Sequence, residues 1–177
     1  IYKSGEKDGK WTIWHENGQK KEELNYIRGL IVGMGTLWDQ NGQIKAELHY
    51  QDGDLVTQTQ FQYYDNNQIN SVINYKNNRL NGKWTTWYAN GQKKEESIYK
   101  SGEKDGKWTI WHENGKIKTE SNYQDGDLVA QTQFQYHYNS QIKSVINYNY
   151  QDGDLVAQTQ FQYYDNNQIE SEENYKN

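Results

Sequence analysis

Apolar and polar residues alternate along this chain in short stretches that keep returning. In Ile44–Tyr50, the residues Ile44, Ala46, Leu48 and Tyr50 fall on one side, and Lys45, Glu47 and His49 on the other. Ile69, Ser71, Ile73 and Tyr75 repeat the pattern, as do Ile142, Ser144, Ile146 and Tyr148. A period of two over seven residues predicts a half-buried β-strand. The stretch before each of these strands, such as Thr12 and Trp14 or Phe61 and Tyr63, alternates too and is rich in Thr and aromatic rings. No stretch carries a helical period, so no helix is expected.

The alternating stretches belong to a repeat, visible in Tyr2, Tyr26, Tyr50, Tyr75, Tyr99, Tyr123 and Tyr148, which are spaced by 24 or 25 residues. Tyr150 and Tyr175 add an interval of 25 after a two-residue offset. Ile1–Gly18 and Ile98–Gly115 are identical, which marks a recent duplication. The units run approximately over 2–25, 26–49, 50–74, 75–98, 99–122, 123–147 and 150–174, one continuous array over 1–177. Ile1 begins inside a unit and neither end has a distinct cap, so the expectation is part of a longer array or a protomer of an assembly.

Turn residues separate the strands. Asn-Gly pairs ending in Gly18, Gly42, Gly91 and Gly115, or Asn-Asn at 66–67 and 166–167, supply the positive φ that a tight hairpin turn needs. A two-residue loop would pair Trp14 with Lys21 and set Trp38 on the face opposite Ile44. A three-residue loop, a type I turn closed by Gly, pairs Trp14 with Lys20 and Trp38 with Ile44. It then brings Thr36 opposite Ala46 and Phe61 opposite Ser71. Because a one-residue slip flips every side chain, the three-residue loop is preferred. It gathers Trp14, Trp38, Tyr63, Trp87, Trp111, Tyr136 and Tyr163 with Ile44, Ile69, Ile117, Ile142 and Ile169 into structural columns on one face. Asp-Gly at 52–53, 125–126 and 152–153, and Asn-Asn at 77–78, link one unit to the next. The extra residue of the 25-residue units is expected in a β-bulge between this link and the aromatic pair.

The expected fold is therefore an all-β repeat protein, an elongated single-layer antiparallel β-meander of about seven hairpins without helix. Fourteen strands at about 4.8 Å would extend roughly 65 Å. A single hairpin is not stable alone, so stacking on neighbours must supply the stability.

Composition narrows the function. Hydrophobic residues are only 33%, yet aromatics reach 15%, with 16 Tyr and 7 Trp, which suits a thin sheet dressed with rings better than a disordered chain or an oily globule. The net charge of -5, with acids and bases interspersed, lacks the basic stripe of a nucleic-acid binder. No apolar run is long enough for a transmembrane helix, and nothing points to peripheral membrane contact. Zero Cys removes disulfides and thiol chemistry and leaves the compartment open, with an intracellular setting preferred. Zero Pro suits a chain that is strand nearly throughout.

The unit G-x-x-x-G-K-W-T-x-W-x-x-N-G-Q-x-K-x-E-x-x-Y resembles the variant form of the MORN repeat. The resemblance is clear around Trp11/Trp14, Trp84/Trp87 and Trp108/Trp111, and fainter in Gln51–Ile69 and its copies, where Gln60 and Tyr63 take the Trp positions. That family includes bacterial proteins described as antitoxin components and eukaryotic cytoskeletal or membrane-proximal scaffolds. The resemblance implies the hairpin fold and a binding role, and brings no catalytic residue or cofactor.

Candidate chemistry is sparse. His15, His112 and His137 share one repeat position near the hairpin turn, and neighbours there stand about 10 Å apart, too far for shared zinc ligation. The Asp-Gly-Asp triplets (Asp52/Asp54, Asp125/Asp127, Asp152/Asp154) resemble a calcium loop, but they open into Leu-Val and turn chemistry accounts for them. Glu22-Glu23 and Glu95-Glu96 point to opposite faces of a strand and cannot work as a pair. Neither an enzyme nor a metal site is expected. Trp11, Trp84 and Trp108 form a second aromatic column, assigned to the face of Lys and Glu. There they are either a binding face or rings lying flat over the ladder. The leading expectation is a non-enzymatic scaffold that binds protein partners or itself. An antitoxin or immunity-type binder that neutralises a toxin is the alternative, and an aromatic ladder for carbohydrate is a third class.

Overall fold

A computed structural model of the chain describes residues 2–176. It divides into two compact units, Ile1–Gly82 and Lys83–Asn177. The first contains β1 (Tyr2–Lys3), β2 (Glu6–Lys7), β3 (Gly9–Trp14), β4 (Lys20–Ile27), β5 (Leu30–Ile31), β6 (Gly33–Trp38), β7 (Ile44–Gln51), β8 (Asp54–Tyr63) and β9 (Ile69–Lys76). The next strand, β10 (Arg79–Trp87), leads into the second. That unit continues with β11 (Lys93–Lys100), β12 (Glu103–Lys104), β13 (Gly106–Trp111), β14 (Ile117–Gln124), β15 (Asp127–Tyr136), β16 (Ile142–Gln151), β17 (Asp154–Tyr163) and β18 (Ile169–Lys176). Among the described residues there is no helix.

Each unit is an antiparallel meander in which sequential strands are spatial neighbours. The order is β3-β4-β6-β7-β8-β9 in the first and β10-β11-β13-β14-β15-β16-β17-β18 in the second. β5 pairs the end of β4, β12 pairs β11, and β1 pairs β2 as a separate ribbon. Two kinds of turn alternate. At the hairpin tips the loop has three residues: His15 N–H donates to the Gln19 carbonyl and Gly18 N–H to the His15 carbonyl, with Gly18 at φ 83°. At the other end, consecutive residues with positive φ (Arg28-Gly29, Asp52-Gly53, Asn77-Asn78, Asp125-Gly126) make the two-residue turns whose twist matches that of paired strands.

The first pair beyond each tip is the expected one: Trp14 faces Lys20 and Trp38 faces Ile44. The next pair is not. An extra residue on the second strand shifts the register at once, so Leu37, and not Thr36, faces Ala46, and Gln62, and not Phe61, faces Ser71. A second bulge thus follows the loop in the hairpins β3-β4, β6-β7, β8-β9, β13-β14, β15-β16 and β17-β18, and it reverses the face of everything past it. Ile44 stays with Trp38, whereas Ala46 and Leu48 go to the other side with Leu37 and Gly35. The expectation that Trp14 and its equivalents share a face with the whole Ile44–Tyr50 apolar set is therefore corrected.

The face carrying Ala46 and Leu48 holds the buried column. Leu24 faces Trp11 and joins Ala46 and Leu48 in a small core, packed by Tyr26, Ile31, Leu37, Tyr50 and Leu55. In the second unit the same column is Ser97, Ser121 and Ser144, all buried. Small side chains suit a place roofed by large rings; Ser121 faces Trp108. Each buried Leu contributes about 1.5–3 kcal/mol, so the ladders and inter-hairpin bonds supply much of the remainder.

The 24- and 25-residue modules differ in how they join their predecessor. In two of the 24-residue modules the first strand breaks into two pieces, β5/β6 and β12/β13, and the register jumps by two residues between them, whereas β10 of another 24-residue module runs unbroken for nine residues. In a 25-residue module the strand runs unbroken for ten residues, with one bulged residue (Val56, Val129 or Val156). The bulge lies where the sequence placed it, between the link and the aromatic pair.

Candidate functional site

In each unit the candidate residues lie on the two faces, at the hairpin tips and in the linking turns. At the tips, several hairpins are tied to the next within a unit by side chains that reach a backbone carbonyl. His15 Nε2 donates to the Trp38 carbonyl at 3.1 Å, Tyr88 Oη to that of Trp111 at 2.8 Å, and His137 Nε2 to that of Tyr163 at 2.8 Å. Asn17 Nδ2 reaches the Gln40 carbonyl at 2.6 Å and Asn90 Nδ2 that of Glu113 at 2.9 Å, while each Asn Oδ1 accepts a backbone N–H of its own turn. The Asn-Gly loops thus do two jobs, turning the chain and stapling modules. Gly42, Gly91 and Gly115 have φ of 82°, 82° and 80°, matching Gly18. His15 and His137 are staples; His137 Nδ1 also lies 3.0 Å from Asp165 Oδ1. Among the described residues no group of three or more His, Asp or Glu side chains is arranged to hold a metal ion. Asp52, Asp125 and Asp152 occupy the left-handed position of their turns, with φ near 50°.

One face carries Thr, Glu and Lys. Glu23 accepts from Lys10 Nζ at 2.8 Å and Lys20 Nζ at 2.9 Å. Hydrogen bonds from Lys10 and Lys20 hold its carboxyl down at about 2. Glu96 lies between Lys83 and Lys93 in the same way, and Lys107 pairs with Glu120. Partial burial pushes the Glu96 carboxyl up, but its two lysines outweigh that and leave it lowered. At the tip end of this face stand Trp14, 57% exposed, and Trp38 and Trp111, with Lys20 and Lys93 Nζ lying over their rings at 5.4 and 5.6 Å. Tyr63 and Tyr136 lie across the neighbouring strand, each hydroxyl donating to the carbonyl of Ile44 or Ile117 at 2.8 Å, and burial raises both phenols. Tyr136 pairs with Ile142 and Tyr163 with Ile169; Ile69 and Ile169 are exposed. Trp87 is half-buried in the equivalent position of β10.

In each unit the opposite face carries the second Trp column, Trp11 in the first and Trp84 and Trp108 in the second, on the side of the buried column and not among the Lys–Glu pairs. Trp11 meets Tyr26 edge-on at 6.2 Å, Trp84 lies 5.9 Å from Tyr99, and Trp108 lies 5.6 Å from Tyr123. Lys7 Nζ sits over both Trp11 and Tyr26, and Lys104 Nζ over both Trp108 and Tyr123, 3.5 Å from the Trp108 ring centre. Burial lowers the Lys104 ammonium. The indole N–H groups of Trp11 and Trp108 are buried without an acceptor, which fits rings that roof the sheet. Sequence reasoning missed these Lys-capped pairs because Lys7 and Lys104 stand on short strands, across a one-residue break from the strand of their Trp, and no residue type marks that break.

Six segments of the chain, residues 7–28, 32–52, 59–77, 80–101, 104–125 and 159–177, match the family described as MORN repeat variant. The chain belongs to the MORN repeat variant family. The matched segments follow the hairpins and their links, and β15 and β16 lie between the last two of them, where Gln replaces Trp. No curated protein matches the chain. A crystal structure of a protein of unknown function from Bacteroides fragilis is 10% identical, over 96% of this chain and 94% of that one. Its TM-score of 0.23 is too low to carry an argument. Among the described residues, no helix of this MORN-variant chain is long and apolar enough to cross a membrane.

Proposed function

We propose that this MORN-variant protein is a non-enzymatic scaffold that presents the same surface at successive modules to a protein partner or to further copies of itself. The observation that supports this is the use of its reactive side chains for construction. His15 and His137 cap carbonyls of the next hairpin, the Asp of each Asp-Gly link shapes a turn, and Glu23 and Glu96 are held between lysines. What remains is a periodic display of rings and ion pairs. Repetition of one surface multiplies weak contacts into avidity.

The test is native isolation of the full chain followed by mass measurement in solution, beside a variant with Trp14→Ala and Trp38→Ala. The expected result is a stoichiometric complex, with another protein or with copies of itself, that the variant loses. A chain that stays monomeric and alone at all concentrations would contradict the proposal. A discrete one-to-one complex with a toxin whose activity it abolishes would favour the antitoxin role instead.

A further inference from the structure

We infer that the Thr-bearing face of each unit binds a linear, neutral, β-1,4-linked glycan laid across the strands. The strand registers align one residue from every strand into a straight row. In the first unit it reads Thr12, Glu23, Thr36, Glu47, Thr59, Asn74. In the second it reads Thr109, Glu120, Thr132, Asn147, Thr159, Asn174. Two residues toward the hairpin tips, on the same face, a second row places an aromatic ring on every other strand. These are Trp14, Trp38 and Phe61 in the first unit, and Trp111, Phe134 and Phe161 in the second. Val72 faces Phe61 from β9, and Val145 on β16 stands between Phe134 and Phe161. The row passes through the Phe residues and not Tyr63 or Tyr136, because the unbroken strands of the 25-residue modules slide two residues along their predecessors.

Two strand spacings are about 9.6 Å. In an extended β-1,4 chain each sugar advances by about one strand spacing and alternate sugars are flipped, so equivalent sugars recur at every second strand, where the rings are. Pyranose C–H faces stack on aromatic rings, and the adjoining hydroxyl, carboxylate and amide row offers partners to equatorial hydroxyls at every strand. Thr59, Thr132 and Thr159 each donate to the facing Asn Oδ1 at 2.8 Å, so this row is ordered before a ligand arrives. Glu23 pairs with Lys10 and Lys20, Glu120 pairs with Lys107, and Glu47 adds a further negative charge to the first row, so neither sign dominates, which suits an uncharged polymer. The acceptor-rich row also favours a glycan over a proline-rich strand, which has a similar period of about 9.3 Å per turn but few donors to give Glu. Six strands span about 24 Å, room for five sugars or so. Lys20 and Lys93, which lie over Trp38 and Trp111, would have to swing aside.

The experiment titrates the full chain with cellohexaose and chitohexaose, by calorimetry and Trp emission, with maltohexaose and decaproline as comparisons. The expected result is saturable binding of at least one β-1,4 hexaose, with maltohexaose and decaproline at least tenfold weaker. Phe61→Leu, Phe134→Leu and Phe161→Leu together keep apolar volume and should weaken binding tenfold or more; Gln60→Ala and Gln133→Ala on the opposite face should not. If the Phe variant fails to fold, Thr36→Val with Thr132→Val serves in its place, with at least a threefold loss expected. Neither β-1,4 hexaose binding, maltohexaose binding equally, decaproline binding in their place, or undiminished binding by the folded variants would each overturn the inference.

Discussion

Gly35→Ala tests the packing of the small core. Gly35 is buried on β6, faces Leu48 on β7, and has no positive φ that would require glycine. A Cβ there would run into Leu24 Cδ2 and come within 3.3 Å of the Glu23 carbonyl oxygen. Leu24 is only 5% exposed and belongs to the cluster with Ala46 and Leu48, so it has little room to retreat. Overpacking costs about 1–3 kcal/mol, against about 0.4–1 kcal/mol gained from restricting the unfolded chain. The net is a loss of about 1–2 kcal/mol, a lowering of Tm by roughly 2–8 °C at about 2–4 °C per kcal/mol. Urea denaturation of Gly35→Ala, Leu24→Ala and the double variant closes a cycle. Leu24→Ala alone should cost about 2–5 kcal/mol, and the double variant should recover at least 0.5 kcal/mol relative to the sum. A neutral Gly35→Ala, or strict additivity, would refute the account of why glycine stands there.

Three other perturbations probe the electrostatics and turns. The Glu23 carboxyl lies below its unfolded value, so its stabilising effect is complete above the ordinary carboxylate range and fades as pH falls from about 5 toward 2; the stability gap between the native chain and Glu23→Gln should close over that window, measured by urea denaturation at each pH. Asn17→Ala removes both a turn bond and the staple to Gln40 and should cost about 1–2 kcal/mol, whereas Asn17→Asp keeps the turn acceptor and should lose about half as much. Gly53→Ala places a side chain at φ 93°, with its Cβ 3.3 Å from Leu30 Cδ2, and should lower stability by about 1–2 kcal/mol.

Period-two alternation and the Asn-Gly and Asp-Gly signals suffice to place the strands, both turn types and the three-residue loop with its Trp38–Ile44 pair. The face assignment failed one residue farther on. No residue type marks the bulge: Lys21 and Lys45 look like ordinary strand lysines, yet the extra residue there separates Ile44 from Leu48. The error carried to the Trp columns, setting Trp11 among ion pairs when it packs over Leu24. The alignment of Phe61 with Trp38 was equally hidden, because it depends on how far one hairpin slides along another. That is a property of inter-module register, and the repeat spacing alone does not encode it. The capping roles of His15 and Asn17 depend on the same stacking.

The paired bulge underlies every face assignment made above, and interproton contacts between β6 and β7 measure it directly. Nuclear Overhauser spectra of the labelled chain should pair Trp38 with Ile44, then Leu37 with Ala46, Thr36 with Glu47 and Met34 with His49. Contacts that pair Thr36 with Ala46 and Met34 with Leu48 would show one unbroken register from the loop onward, and would put the two tryptophan columns back on the faces they are said here to have left.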